Sequence, residues 1–256
     1  MIDALHISQS GLKATQEWID FISNNVANMH TAGYKTSQVL FEDLVSSNPQ
    51  TVNSSGTSQS DHAGLGTRLT SSSINFAEGS FKPTNRQLDI AIQGAGFLEV
   101  NQAKGGLAYT RLGRLEINDE GYLSVTGGHQ LSDDIAVPSD ASRLTIDTQG
   151  VVSAIYDDGN QIELGQIRLA HIQNSQNLRA IGNSLYQLPS ESAPPLLQSA
   201  GEGGTGKIAQ GFLEMSNVVL VDEMTNLVLA QRAYQLNARL IQTADQILET
   251  VNNLRR

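Results

Sequence analysis

Apolar residues recur every seven positions at the start of the chain: Leu5, Leu12, Ile19 and Val26. Ile22 and Met29 take the second position of this seam, where Ser8 and Thr15 stand further up. Spacings of three and four hold side chains on one stripe of an α-helix, as in a coiled coil. The pattern predicts a helix over residues 2–28 with a stripe that weakens toward the N-terminus. It should stop near Thr31-Ala32-Gly33, because a glycine enters the left-handed conformation that ends helices at no steric cost.

The clearest periodicity lies at the other end. From Leu227 a seam runs through Ala230, Tyr234, Asn237, Ile241, Ala244, Leu248 and Val251, alternating three and four without a slip. No Pro or Gly interrupts the chain after Phe212. Ser216-Asn217 offers an N-cap, and Asp222-Glu223 suit the positive end of a helix dipole. A helix of roughly 35 residues would be about 50 Å long. Asn237 breaks the apolar seam. Such a residue either fixes register and partner number or marks a stretch of the face open to water.

Between these ends the period changes to two. Leu88, Ile90 and Ile92 alternate with Asp89 and Ala91, and Ile167 and Leu169 with Arg168 and Ala170. Turn signals separate the runs at Asn118–Gly121, Thr126–Gly128 and Asp157–Asn160. Short strands joined by Gly and Asp turns predict a β-rich middle domain. The stretch 46–66 is dominated by Ser, Asn, Gln, Thr and Gly, and cannot bury enough apolar area for a core of its own. Residues 191–211 read as a second polar linker. The fold class is therefore α+β. It comprises an N-terminal helix and turn (1–45), an arm (46–66), a β-rich outer domain (67–190), a linker (191–211) and a C-terminal helix (212–256).

Charge and composition narrow the chemistry. The 256 residues carry a net charge of −10, which repels phosphate backbones and disfavours nucleic acid as a partner. Cysteine is absent, which removes disulfides, thiolate catalysis and Cys metal sites. The start lacks the basic and apolar regions of a signal peptide, and no stretch approaches the length needed for a membrane span. Export, if it occurs, is expected without a cleaved leader.

Motif matches that suggest chemistry dissolve on inspection. Gly201 to Lys207 has P-loop spacing, but Ile208 stands where a Ser or Thr should hold magnesium, and no apolar strand precedes it. Gly94-Ala95-Gly96 lacks a third glycine and leads into a strand, so it reads as a tight turn. Ser10 to Lys13 matches SxxK without its companion KTG. The five histidines form no metal-binding pair. No catalytic, cofactor-binding or metal residue is expected.

Two longer segments carry a resemblance. Ser23-Asn24-Asn25-Val26-Ala27-Asn28, running on to Thr31-Ala32-Gly33-Tyr34-Lys35, resembles the N-terminal signature of the flagellar basal-body rod and hook protein family. Gln210-Gly211-Phe212-Leu213-Glu214-Met215-Ser216-Asn217-Val218 resembles that family's C-terminal signature, as does Gln231-Arg232-Ala233-Tyr234 followed by Thr243, Asp245 and Leu248. Phe41–Leu44, Gly64–Thr67, Leu88–Phe97 and Ala108–Gly113 look like the distal-rod branch. Proximal-rod relatives share both ends. Ala32 departs from the Pro or Asn that relatives often carry.

The resemblance implies a self-assembling structural subunit of a hollow helical tube, with the terminal helices inside and the β domain outside. It further implies an arm that braces neighbours and export through the flagellar type III channel. Expected partners are copies of itself, the proximal rod, the hook protein, the surrounding P and L ring proteins and the export apparatus. Direct membrane insertion is not expected. Leu5, Leu12, Ile19, Ile22, Val26, Leu227, Ala230, Tyr234, Asn237, Ile241, Leu248 and Val251 are expected to bury against neighbouring subunits, with the ends loose before assembly. Outside this family the competing readings are a β-domain adhesin with coiled-coil ends, or a hydrolase revealed by a deep pocket with coupled acids.

Overall fold

The computed structural model describes residues 2–46, 63–102, 105–189 and 192–254. Residues 47–62 of the expected arm lie outside that description. The chain divides into two compact units, one drawn from Met1–Ala27, Ser37–Ser73 and Val219–Arg256, the other from Asn28–Thr36 and Ile74–Val218.

The first unit is helical. Helix α1 spans Ile2–Ala27, and helix α2 spans Leu220–Leu254. They run antiparallel: Asn25 meets Glu223 near one end, and Gly11 faces Asn237 further along. Strands β1 (Ser37–Ser46) and β2 (Ala63–Ile74) form a two-stranded sheet beside α1. The expected helix-and-turn segment 1–45 thus also carries a strand, and β2 begins inside the expected arm 46–66. Glu42 staples the pair, accepting from Thr70 Oγ1 at 2.9 Å and Arg68 Nη2 at 3.2 Å. These donors, Thr70 first, hold its carboxyl below the ordinary range. Trp18 of α1 meets Phe41 of β1 edge to face, ring centroids 5.7 Å apart.

The second unit is the β-rich domain the alternation predicts. Its strands are β3 (Phe81–Pro83), β4 (Ile90–Gln93), β5 (Phe97–Asn101), β6 (Leu107–Thr110), β7 (Leu115–Ile117), β8 (Leu123–Val125), β9 (His129–Gln130), β10 (Arg143–Ile146), β11 (Val151–Ile155) and β12 (Gln161–Gln166). β13 (Arg168–His171), β14 (Arg179–Gly182), β15 (Leu185–Gln187), β16 (Leu196–Ser199), β17 (Lys207–Gln210) and β18 (Phe212–Glu214) follow. The main sheet has the order β14-β15-β6-β5-β13-β16, with smaller sheets β10-β11-β12, β7-β8-β9, β17-β4 and β18-β3. An aliphatic core including Ile90, Ile92, Leu98, Leu115, Leu123, Val152, Ile167, Leu169 and Ile208 joins the main sheet to β10-β11-β12, β7-β8-β9 and β17-β4.

Two boundaries move. The expected linker 191–211 contains β16, paired antiparallel with β13, and β17, paired with β4; Ala200 and Ile208 are buried in the core. Its polar composition conceals strands whose partners lie far away in sequence. The N-cap expected at Ser216-Asn217 is also not used. Helix α2 begins at Leu220, with Glu223 N–H donating to Val219 O at 3.1 Å. The Asn217 side chain is engaged within the β unit instead.

Candidate assembly site

Both signature segments turn inward. In the β unit, Lys35 is buried and donates to Glu214 Oε1 at 2.5 Å and to the Ala77 carbonyl at 2.7 Å. Glu214, 1% exposed, also accepts from Gly79 N–H at 3.0 Å and from Arg111 Nη1 at 3.4 Å. Burial pushes both Lys35 and Arg111 below their ordinary values, while Glu214 beside them pulls the other way. Arg111 also lies over the Phe97 ring at 5.2 Å. Removing one member of such a group strands the opposite charge in low dielectric, at a cost of about 3–5 kcal/mol.

Backbone bonds reinforce this clasp. Asn217 accepts from Thr36 N–H at 2.8 Å and from Thr36 Oγ1 at 2.7 Å, and its amide donates to the Asn75 and Ala77 carbonyls. Gly33 N–H donates to Glu214 O at 2.9 Å. Gly33 has φ +72°, and a Cβ there would sit 2.8 Å from Leu112 N, so only glycine fits without strain. Gly211, φ +81°, donates to Asp89 O at 2.7 Å. Gln210 donates to the Gln87 and Leu144 carbonyls, tying separate loops together. Ser216 is buried, and Tyr34 and Asn28 are half-buried.

In the helical unit Asn25 plays the matching part. Its amide donates to Ser37 O at 2.9 Å and to Glu223 Oε1 at 3.0 Å, while its oxygen accepts from Ser37 N–H at 3.0 Å. Three elements meet at one buried side chain. Burial raises the Glu223 carboxyl above its ordinary 4.5, the Asn25 bond opposing this. Asn24, Gln231 and Arg232 lie on the exposed surface.

The residues of the predicted seam differ in how far the chain itself covers them. Ile22 is 2% exposed and Ala230 0% exposed, both already buried within the chain by the α1–α2 pairing. Leu5, Leu12, Ile19, Val26, Leu227 and Ile241 are half-buried in the same unit. Asn237 is half-buried, its amide opposite Gly11, where a Cβ would approach Asn237 Nδ2 to 2.8 Å. Tyr234 and Leu248 remain exposed, and the Val251 side chain lies outside the described residues. Ile22 and Ala230 are thus the seam residues that the chain itself already covers.

A second stripe was missed. Leu229, Leu236, Leu240 and Ile247 are all exposed, with Leu236 at 60% and Leu240 at 57%. With Ala233 and Thr243 between them they alternate four and three, about 100° around α2 from the first seam. Val221, Met224 and Val228 extend the exposed apolar surface toward the start of the helix. The same spacing rule could have found this stripe.

A cavity of about 600 Å³ in the β unit has no Asp or Glu in its lining, and the described residues contain no cluster suited to a metal ion. None of the described helices is long and apolar enough to cross a membrane.

Residues 5–35 match the family model described as Flagella basal body rod protein. Residues 91–154 match Flagellar hook protein FlgE/F/G D1 domain, and 209–254 match Flagellar basal body rod FlgEFG protein C-terminal. Over 99% of its length the chain is 35% identical to the whole of the flagellar basal-body rod protein FlgG of Buchnera aphidicola subsp. Acyrthosiphon pisum. It is 36% identical to the FlgG proteins of Borreliella burgdorferi and Bacillus subtilis, each match covering both chains completely. The chain belongs to the flagellar basal-body rod protein family. Within this rod-family chain, the three matched segments each supply one member of the buried charge group: Lys35, Arg111 and Glu214. The exposed stripe of α2 lies in the C-terminal match.

Proposed function

We propose that this chain is a structural subunit of the distal flagellar rod that polymerises into a hollow, torque-transmitting tube. The observation that carries the reading is the uncovered stripe Leu229, Leu236, Leu240 and Ile247 on a 35-residue helix. Water-exposed leucines spaced for helix packing are costly in a finished monomer. Burial recovers about 1.5–3 kcal/mol for each side chain. Neighbouring copies supply that burial through heterologous contacts that do not close, which gives an open filament. Relatives named as basal-body rod proteins support the same assembly.

The proximal rod lies below this tube and the hook protein above it, with the P and L ring proteins around it as it crosses the periplasm. The subunit reaches that position through the flagellar export apparatus, and it performs no catalysis. Residues Tyr234, Leu248 and Val251 of the original seam join the second stripe at the subunit contact.

Introducing Leu236→Asp and Leu240→Asp together tests the reading. The expected result is an unchanged far-ultraviolet spectrum of the monomer with rod assembly abolished, in purified protein and in cells lacking the native subunit. Assembly at native efficiency would overturn it.

A further inference from the structure

The 600 Å³ cavity lies outside both the charge clasp and the helical stripe. Its floor is apolar, made by Leu112, Leu213 and Met215. Lys82, Arg114 and His30 stand around it with exposed side chains. Lys82 makes no ion pair among the described residues. Two carboxylates temper the rim: Asp89, 4.0 Å from Arg114 Nε, and Glu116, which accepts from Thr126 Oγ1 at 3.0 Å. A free cation beside an apolar floor is unusual in a chain of net charge −10. It suits a ligand that carries a carboxylate next to an aliphatic side chain.

The same chain presents that combination elsewhere. The hairpin of β11 and β12 turns at Asp157-Asp158-Gly159-Asn160, closed by Gly159 N–H donating to Tyr156 O at 3.0 Å. Asp157, Asp158 and Glu163 are exposed, and Ile162 between them is 52% exposed. No Lys or Arg occurs between Arg143 and Arg168. β12 is an outer strand of its sheet, so the tip is open on one side. Another adjacent acidic pair of the β unit, Asp133-Asp134, is spent internally, Asp133 on Arg168 at 2.6 Å and Asp134 on Gln130 at 2.8 Å. None of the hairpin residues lines the cavity of its own chain.

We propose that the acidic hairpin tip of one copy docks in the cavity of the next, Ile162 on the floor and Asp157 or Asp158 against Lys82. This inference rests on the polymerising reading above. The contact joins different surfaces on the two copies, so it propagates along an open assembly instead of closing a dimer. It also places an electrostatic element in the outer β units, distinct from the apolar helical contact. Paired charges of this kind specify register and partner more than they add affinity.

The test uses two full-length variants, Lys82→Glu and Asp158→Lys, with self-association followed by sedimentation. Each variant alone is expected to associate about tenfold more weakly than the native chain. An equimolar mixture should recover native association, because each junction then pairs opposite charges. Glu120→Lys, which reverses an acidic residue at another hairpin tip, should change nothing. The absence of cysteine allows a second readout. The double variant Lys82→Cys with Asp158→Cys should form an oxidised ladder of covalent multimers, while either single variant should stop at dimers. Native association that is indifferent to both charge variants, or lacks the ladder, would overturn this contact and leave the polymer reading standing. A native chain that does not self-associate at all would overturn both.

Discussion

The buried charge group of the β unit and the exposed leucine stripe of α2 stand in contrast. In the β unit even a lysine, an arginine and a glutamate are taken fully inside and bonded to one another, around an aliphatic core. In the helical unit leucines of α2 remain in water. Dehydrated charges paired within one chain mark a contact complete in itself. Exposed leucines in helical register mark a surface whose partner comes from another molecule. The difference separates a buried cluster that holds the fold together from an apolar stripe offered for assembly.

The contrast can be broken most forcefully at Glu214. Glu214→Ala leaves Lys35 and Arg111 buried without a counter-charge, and should destabilise the chain by about 3–5 kcal/mol in denaturant titration. A loss under 1 kcal/mol would show the clasp to be ornamental.

A smaller effect sharpens the helical side. Gly11→Ala gains about 1 kcal/mol of helix propensity in a background that lacks the Asn237 side chain. In the native background the new methyl meets Asn237 Nδ2 at 2.8 Å, which offsets that gain. A double-mutant cycle of Gly11→Ala with Asn237→Ala should therefore show coupling of about 0.5–1 kcal/mol. Strict additivity would mean that the helices do not pair at this register.

The smallest expected effect is a pH dependence. Burial raises the Glu223 carboxyl above 4.5, so the folded chain binds a proton that the unfolded chain has released. The stability this group contributes is full below 4.5 and is lost as pH rises through the folded value. Glu223→Gln keeps an acceptor for Asn25 and should flatten that part of the melting-temperature profile above pH 4.5. An unchanged profile would remove Glu223 from the account.

Much of this was legible in the residues. Seven-residue repeats located both helices, and alternation located the β unit. The strands at Leu196–Ser199 and Lys207–Gln210 were not legible, because each is defined by a distant partner rather than by its own polar flanks. The clasp left a trace: one signature segment ends in Lys35 and the other contains Glu214, opposite charges in segments that had to be brought together. The second stripe was visible at the same spacing as the first. It was missed because the first, uninterrupted seam accounted for the helix, and sequence does not say whether a seam faces its own chain or another.

The most direct measurement is thiol labelling at Leu236. Leu236→Cys introduces the sole cysteine of the chain, and its alkylation rate can be compared in the monomer and in the assembled polymer. The account predicts rapid labelling in the monomer and a rate slower by about 100-fold or more once neighbouring copies cover α2. Equal rates in both states would place the stripe outside the subunit contact and contradict the central claim.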